Sequence, residues 1–507
     1  MQSAPVVIVL AGGANSRFWP LEHKTLFEFL GESLLARHLR VLRELGCADF
    51  IIVGNPENID LLNALLPTLP GIQAATVTQL QPLGMADALL TTEPLLRERY
   101  PGRAIYVTQA HDVADPQLHA SMLAAYRSGS AEGYLPARRV ERYFEGGYLV
   151  LDGERVTGIV EKPGAGNEPS NVIKLVADVF SDWQPMIEAV KEMASSGGDD
   201  IYERALTSLL AARRFEPVYY IGPAHTLKHS WDVLNVMDYF LGTDFVGGRM
   251  RAVGQDEKEG VYVAPGVNVP PDANISGAVY LSEGVELGPA VIIQGPVYLD
   301  RGVRLSARTT VIGPGYLGAS ARLFHGAMVN GPAFIGDGAK IGNNALVRSA
   351  MVGGGSEVGY STEVARSYVG RYCELHTNYV GDSVLSEGVH MGSGAVTANL
   401  RLDYRSVPVQ VASASGGVRR VDTQREKLGV IAGSYSQMGI NASVMPGQRI
   451  GRDAIVGAGV MLERDLQDNR FVRLRWSEDG TPQLEEIDAP IKRSGLMQKR
   501  LHLHSPR

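Results

Sequence analysis

Two adjacent glycines, Gly12 and Gly13, close a continuous apolar run over residues 5–10, and two cations, Arg17 and Lys24, follow at short spacing. A glycine pair between a buried strand and a helix lets the backbone approach a phosphate, and free N–H groups with cationic side chains complete such a cradle. Two cations within reach of one loop suit an oligophosphate whose negative charge grows during transfer. Strand-to-loop glycines also serve as plain turn residues, so the chemistry depends on what positions the loop. Residues 5–10 read as a buried strand, and Leu34, His38, Val41, Leu42 and Leu45 mark one face of a helix closing at Gly46. Further strands fit 51–53, 74–77, 104–108 and 133–137, with helices at 85–98 and 116–128 between them. This alternation predicts an α/β domain over residues 1–240, and 238–260 reads as a closing helix plus a linker, with the linker bounded at 241–260.

The second half obeys a different rule. From Val263 to Val347 every sixth residue is Val, Ile or Leu, and a second, mostly small series (Val261, Val267, Ala273, later Ala333, Ala339 and Ala345) runs two residues ahead. A sustained six-residue period predicts a parallel β-solenoid with three short strands per coil and an interior ladder one residue wide. The register breaks near Gly353, resumes at Val358 and Val364, and runs cleanly again through Val444, Ile450, Val456 and Leu462. The solenoid is therefore expected over 261–465 with a C-terminal tail over 466–507. Stretches 372–382 and 400–429 are irregular and are expected as outward loops, where function tends to reside. In the tail, 471–476 alternates like a strand before a frayed end, and His502 and His504 are too few for a metal site.

At 507 residues two or more domains are expected. The two cysteines, Cys47 and Cys373, lie far apart in sequence and fit a reducing compartment. The first ten residues lack a charged leader followed by a long apolar core, so a cytoplasmic protein is expected. A net charge of -7, with basic residues clustered only after Lys492, argues against nucleic acid as a partner, and no apolar run is long enough to span a membrane.

The run from Leu10 through Gly12, Gly13 and Arg17 to Pro20 and Leu21 resembles the signature loop of the sugar-1-phosphate nucleotidylyltransferases. Matching segments follow in family order: Gln79 to Gly84, similar to the nucleobase-reading segment; Asp112, like the metal-binding aspartate; Gly147; Glu161-Lys162-Pro163; Asn171; and Trp231-Asp232. The resemblance implies a Rossmann-like fold in which Gly12, Gly13, Gln79 and Gly84 bind nucleotide. It also implies sugar binding by Gly147, Glu161, Lys162 and Asn171, and Mg²⁺ held by Asp112 and Asp232. The reaction implied is attack by a sugar 1-phosphate on the α-phosphorus of a nucleoside triphosphate, UTP or dTTP, with Arg17 and Lys24 on the phosphates. The chain departs from the pattern at Met85, where threonine is common, and at Lys174 and Val176, where a sugar-contacting Asn and Gly are usual.

In the repeat, His376-Thr-Asn-Tyr379-Val-Gly-Asp382 and the following Gly392 to Asp403 resemble the archaeal-type bifunctional N-acetylglucosamine-1-phosphate uridyltransferase and glucosamine-1-phosphate acetyltransferase. This implies a left-handed parallel β-helix of hexapeptide repeats that transfers acetyl from acetyl-CoA. An attacking amine must lose a proton, and His376 is the candidate base. Tyr379 and Asn399 would hold the amino sugar, and Gly439 and Ala458 would line the acetyl-CoA groove. Arg405 and Pro408 replace the lysines usual after the asparagine. Solenoids of this kind commonly form homotrimers, so a scaffold without catalysis is the competing reading, on a monofunctional uridylyl- or thymidylyltransferase. Zinc is disfavoured, because His325, His376 and His390 lack a close ligand pair.

Overall fold

The computed structural model describes residues 3–13, 16–143, 146–153, 155–194, 198, 200–255, 260–412 and 417–495. Asn15 of the expected phosphate loop, residues 256–259 of the expected linker, and His502 and His504 lie outside them. The chain divides into two compact units, Met1–Ala14 with His23–Phe27 and Glu32–Thr226, and Asn15–Glu22 with Glu28–Gly31 and Leu227–Arg507.

In the first unit, Val6–Leu10 runs parallel to Asp49–Gly54 on one side and Ile105–Thr108 on the other, and Gln73–Thr78 extends the sheet beyond Asp49–Gly54. On the far flank, Ala177–Phe180 is antiparallel both to Ile105–Thr108 and to Gly133–Arg139. The central strand is apolar at every position because both faces are covered. Ile8 and Leu10 pack with Leu89, Trp183 and Leu206, whereas Val7 and Val9 pack with Leu35, Leu39 and Leu42. Helix Leu34–Glu44 starts where the Ser33 hydroxyl accepts from Ala36 N at 3.2 Å, a side-chain cap on an otherwise unpaired donor. The single helix expected over 85–98 is two, Met85–Leu90 and Glu93–Arg99. The break falls at Thr91 and Thr92, whose hydroxyls donate back to Ala88 O and Leu89 O, with Pro94 opening the second helix.

Beneath this sheet the rings of His38 and His119 meet edge-on at 4.9 Å, and the Tyr106 hydroxyl lies 2.7 Å from His119 Nδ1. Burial lowers both imidazole pKa values, that of His119 from 6.5 to about 4. Neutral His119 thus stabilises the fold fully above pH 6.5, and this stability drains as pH falls toward 4, by about 3 kcal/mol. Urea unfolding at pH 7 and pH 4.5 is expected to show a smaller acid loss for His119→Phe than for the parent chain; equal losses would remove His119 from the account.

The second unit is a β-helix built from three parallel sheets, each strand pairing with its counterpart one coil on. On the first face the partners are 18 residues apart, as in Val279 with Val297 and Val297 with Gly315. The step shortens to 17 at Phe334 with Met351 and to 16 at Glu363 with Tyr379, then becomes 47 at Val384 with Ile431. The contracted coils account for the break in the six-residue pattern near Gly353. Within the interior ladder, Ile293, Val311, Val329, Val347, Val364 and Val380 are fully buried. Leu317→Ala, which opens a void in this ladder, is expected to cost about 2–5 kcal/mol in denaturant unfolding.

Outside the first face, Tyr262, Tyr280, Tyr298, Tyr316 and Phe334 form a continuous file of rings 4.6 to 5.7 Å apart. Helix Phe245–Ala252 covers its upper part, with the Arg249 guanidinium 3.9 Å from the Tyr316 ring centre. That helix corrects the linker expected over 241–260. Its apolar residues Phe245, Val246 and Met250 are buried, and Asp244 caps it by accepting from Gly247 N at 3.1 Å. Stretch 372–382 is likewise no outward loop, since Glu374–Leu375 and Tyr379–Gly381 are strands of a regular coil. The excursion over 400–429 is real: Leu400 bridges Lys427, and Pro408–Ala412 pairs with Val418–Asp422 as a hairpin rooted by buried Val407, Val409 and Val411. Beyond the last coil, Arg470–Trp476 and Pro482–Asp488 form a second hairpin on the third sheet, the first of them covering the strand expected over 471–476, while the end expected to fray falls on 496–507, outside the described residues.

Candidate functional site

In the first unit the expected nucleotide-binding residues converge on one side chain. Gln79, buried at 2% exposure, donates through Nε2 to Gly84 O at 3.0 Å and to Asp87 Oδ2 at 2.8 Å. A Cβ on Gly12 would stand 2.8 Å from Gln79 Oε1 and 3.0 Å from Gly54 O, so only glycine lets the loop cross there. Gly13 has open space around its Cα, which leaves its backbone approachable. Buried Asn55 and Asn58 hold the loop from behind, donating to Gly12 O at 3.2 Å and Ala11 O at 2.9 Å. Neither asparagine, nor Asp87, stood out in the sequence; the asparagines' partners lie 43 and 47 residues away, and Asp87 sits just beyond the segment from Gln79 to Gly84.

Lys24 opens the short helical turn Lys24–Leu26, and its charge acts on the buried imidazole of His111, as does the carboxylate of Asp112. Burial is the largest influence there and lowers the His111 pKa. Asp112 starts strand Asp112–Ala114 and pairs with Thr226 through the backbone, leaving its carboxylate outside the ladder. Arg17 and Asp232 belong to the second unit. Arg17 is exposed. Asp232 opens helix Asp232–Gly242, and its Oδ2 accepts from Lys228 N at 2.9 Å and His229 N at 2.6 Å, while the His229 and Trp231 rings stack at 4.3 Å.

The expected sugar residues group on the antiparallel flank. Gly147 pairs with Glu161, and a Cβ on Gly147 would stand 3.0 Å from Glu161 Oε2. Lys162, with φ 45°, turns its ammonium to Glu161 at 3.3 Å. Asn171 is exposed and accepts from Arg139 Nη1 at 3.4 Å. Lys174, the departure from the family pattern, points inward to Asp178 at 2.7 Å, with the Tyr202 hydroxyl also donating to Asp178 at 2.7 Å. Its charge is spent on a buried ion pair.

In the β-helix, His376 occupies a corner position whose N–H donates to the carbonyl one coil on, Met391 O at 3.3 Å. The equivalent corners of the adjoining coils are Gly359 and Gly392, whose N–H groups bond in the same way to Leu375 O and Met438 O. The exposed imidazole therefore stands between two corners without side chains, and the ring of His390 lies edge-on at 5.4 Å. Tyr379 and Asn399 do come together, Asn399 Nδ2 donating to Tyr379 OH at 3.2 Å and to Asp382 Oδ2 at 2.5 Å. Arg366 grips both oxygens of Asp382, at 2.8 and 2.6 Å, and this pairing raises its pKa. Gly439 and Ala458 are neighbours, because a Cβ on Gly439 would stand 2.6 Å from Ala458 N. That crowding is shared by other coil corners such as Gly342 and Gly392, so coil stacking alone accounts for glycine at 439.

Residues 6–209 match the family profile described as nucleotidyl transferase. The match is confined to that segment of the chain, which is similar to a nucleotidyl transferase domain. Among curated relatives, a bifunctional protein GlmU from Methanocaldococcus jannaschii is 40% identical over 119 residues, 23% of this chain and 28% of that one. A bifunctional sugar-1-phosphate nucleotidylyltransferase/acetyltransferase from Sulfurisphaera tokodaii is 35% identical over 120 residues, 24% of this chain and 29% of that one. The matched segments thus span under a third of those relatives. A solved UDP-glucose pyrophosphorylase in complex with UDP-glucose aligns with 47% of this chain and 98% of its own length, at 18% identity and a TM-score of 0.41. Among the described residues, no helix is long and apolar enough to cross a membrane, and no three His, Cys, Asp or Glu side chains cluster as a ready-made metal site.

Proposed function

We propose that the chain transfers a nucleotidyl group from a nucleoside triphosphate, UTP or dTTP, to a sugar 1-phosphate, releasing pyrophosphate. The observation that carries this reading is the family match over 6–209 together with the Gly12–Gln79–Gly84 cluster held from below by Asn55 and Asn58. Such chemistry needs positioning and charge neutralisation and no covalent nucleophile. Gly13 offers backbone to the phosphates, Lys24 and Arg17 supply cationic charge, and Glu161, Lys162, Gly147 and Asn171 orient the sugar. The hard carboxylate oxygens of Asp112 and Asp232 fit Mg²⁺, which rarely needs more than one or two protein ligands beside substrate phosphates. When bound, the ion would neutralise charge on the phosphates.

We further propose acetyl transfer from acetyl-CoA to an amino-sugar phosphate in the β-helix, with His376 as general base. The open flanks of His376 at Gly359 and Gly392 favour this reading. The pairing of Asn399 and Tyr379 with Asp382 and Arg366 favours the rival, a β-helix that only assembles homotrimers, because those polar groups already have partners inside the coil. Mass spectrometry of reactions containing Mg²⁺, UTP or dTTP, acetyl-CoA and either glucosamine 1-phosphate or N-acetylglucosamine 1-phosphate separates these. Acetylated nucleotide sugar from both acceptors is expected if both sites work. Product from the pre-acetylated acceptor alone would leave the β-helix as a scaffold, and absence of nucleotide sugar from every pair would overturn the first proposal.

A further inference from the structure

The turn after Arg17 is packed into the last coils of the β-helix and belongs to the same compact unit. Trp19 Nε1 donates to Asp468 Oδ1 at 2.9 Å, and the Arg449 guanidinium lies 4.6 Å from the centre of the Trp19 ring while Nη1 donates to Trp19 O at 3.3 Å. Arg449 is itself held rigidly, since its Nε and Nη2 donate to Asp465 Oδ2 at 3.0 and 2.6 Å, and its side chain is 6% exposed. Asp468 is fixed from the other side by Arg452 N at 2.9 Å, and Arg452 also pairs with Glu22. Gly433 completes the seat, for a Cβ there would stand 2.8 Å from Pro20 O. Phe18 and Leu21 are buried on either side, at 0% and 2% exposure, and Leu21 N closes the turn on Phe18 O at 3.0 Å.

A buried charged fork over an indole ring is a demanding anchor for a segment that needs only to connect a strand to a helix, because an unpaired charge there would cost several kcal/mol. Loops that hold a mobile cation against phosphate gain rate from being fixed, and a displacement of about 1 Å can cost on the order of 10²-fold. Arg17 stands two residues before the clamped ring and is exposed. We infer that Arg449, with Asp465 and Asp468, is a positioning residue for nucleotidyl transfer, which holds Trp19 and thereby fixes the turn that carries Arg17. This inference rests on the nucleotidyl transfer proposed above.

The test measures pyrophosphate release by the full chain with Mg²⁺, UTP or dTTP, and the two sugar 1-phosphates, for the parent, Arg449→Ala, Arg449→Lys and Trp19→Phe, alongside hydrogen exchange over residues 16–22. Arg449→Ala is expected to lower kcat by about ten- to a hundred-fold with little change in KM for the triphosphate. Exchange over 16–22 should quicken while the strand Val6–Leu10 stays protected. Arg449→Lys keeps a cation near the ring but loses the fork on Asp465, and should recover part of the rate. If Arg449→Ala fails to fold, Trp19→Phe, which removes only the N–H to Asp468, carries the same expectation at smaller size. An active parent whose variants keep full kcat despite faster exchange overturns the positioning role alone. A parent inert with both triphosphates overturns nucleotidyl transfer and the positioning role together.

Discussion

Asp112→Asn is expected to lower nucleotidyl transfer on the order of 10²–10³-fold while the chain keeps its thermal unfolding midpoint. The fold should survive because Asp112 is tied to Thr226 through backbone pairing, and its N–H reaches Gln109 O at 3.3 Å, contacts that an isosteric amide leaves intact. Activity should not survive, because an amide offers no negative charge to a divalent cation and so weakens the neutralisation that phosphoryl chemistry depends on. Raising Mg²⁺ should restore part of the rate, since a weakened ligand can be offset by mass action. Pyrophosphate release followed across a Mg²⁺ titration decides the matter. A variant as fast as the parent at limiting Mg²⁺ would remove Asp112 from the metal site.

His376→Ala is expected to reduce acetyl transfer about 10²–10⁴-fold and to leave pyrophosphate release unchanged. The side chain lies at an exposed corner, its backbone N–H keeps the coil bond to Met391 O whatever the residue, and glycine already serves at the corners before and after it. Loss of the imidazole should therefore not unwind the coil, and thermal unfolding of the two chains should coincide. His390 is the natural control: burial lowers its pKa, and its ring stands edge-on to His376, so His390→Gln should weaken acetyl transfer less than His376→Ala. Thioester consumption in the presence of glucosamine 1-phosphate reads both. An unchanged rate in His376→Ala would leave the corner without a catalytic role.

The β-helix was legible from Val263 onward because its rule is local, one inward aliphatic residue per six. Where coils contract to 17 and 16 residues the period itself changes, and the stretch 372–382 looked like a loop although it is a strand-bearing coil. A closing helix is expected within 238–260, but the bounds of helix Phe245–Ala252 were not legible, since two glycines weaken its pattern and its buried face is read only against the ring file it covers. In the first unit the strands emerged from unbroken apolar runs, and Gly12 with Gln79 from motif order. The asparagines that hold the loop, the inward turn of Lys174 and the Trp19 clamp were not legible. The asparagines and the clamp depend on partners distant in sequence, 430 residues away in the case of Trp19 and Arg449, whereas Lys174 turns to Asp178 four residues on, a polar pairing that no apolar periodicity records.

The file of rings from Tyr262 to Phe334 grades from half-open to buried: Tyr298, Tyr316 and Phe334 are 7%, 4% and 5% exposed, whereas Tyr262 and Tyr280 are only partly covered. In a quasi-one-dimensional stack each coil is supported only by its neighbours, so the lightly covered end is where opening starts. Aromatic rings held 4.6 Å apart and within 15° of parallel couple their electronic transitions. The first coils therefore carry their own chromophore, and fraying from that end would register as a loss of near-ultraviolet dichroism at temperatures where the backbone signal of the remaining coils is still intact.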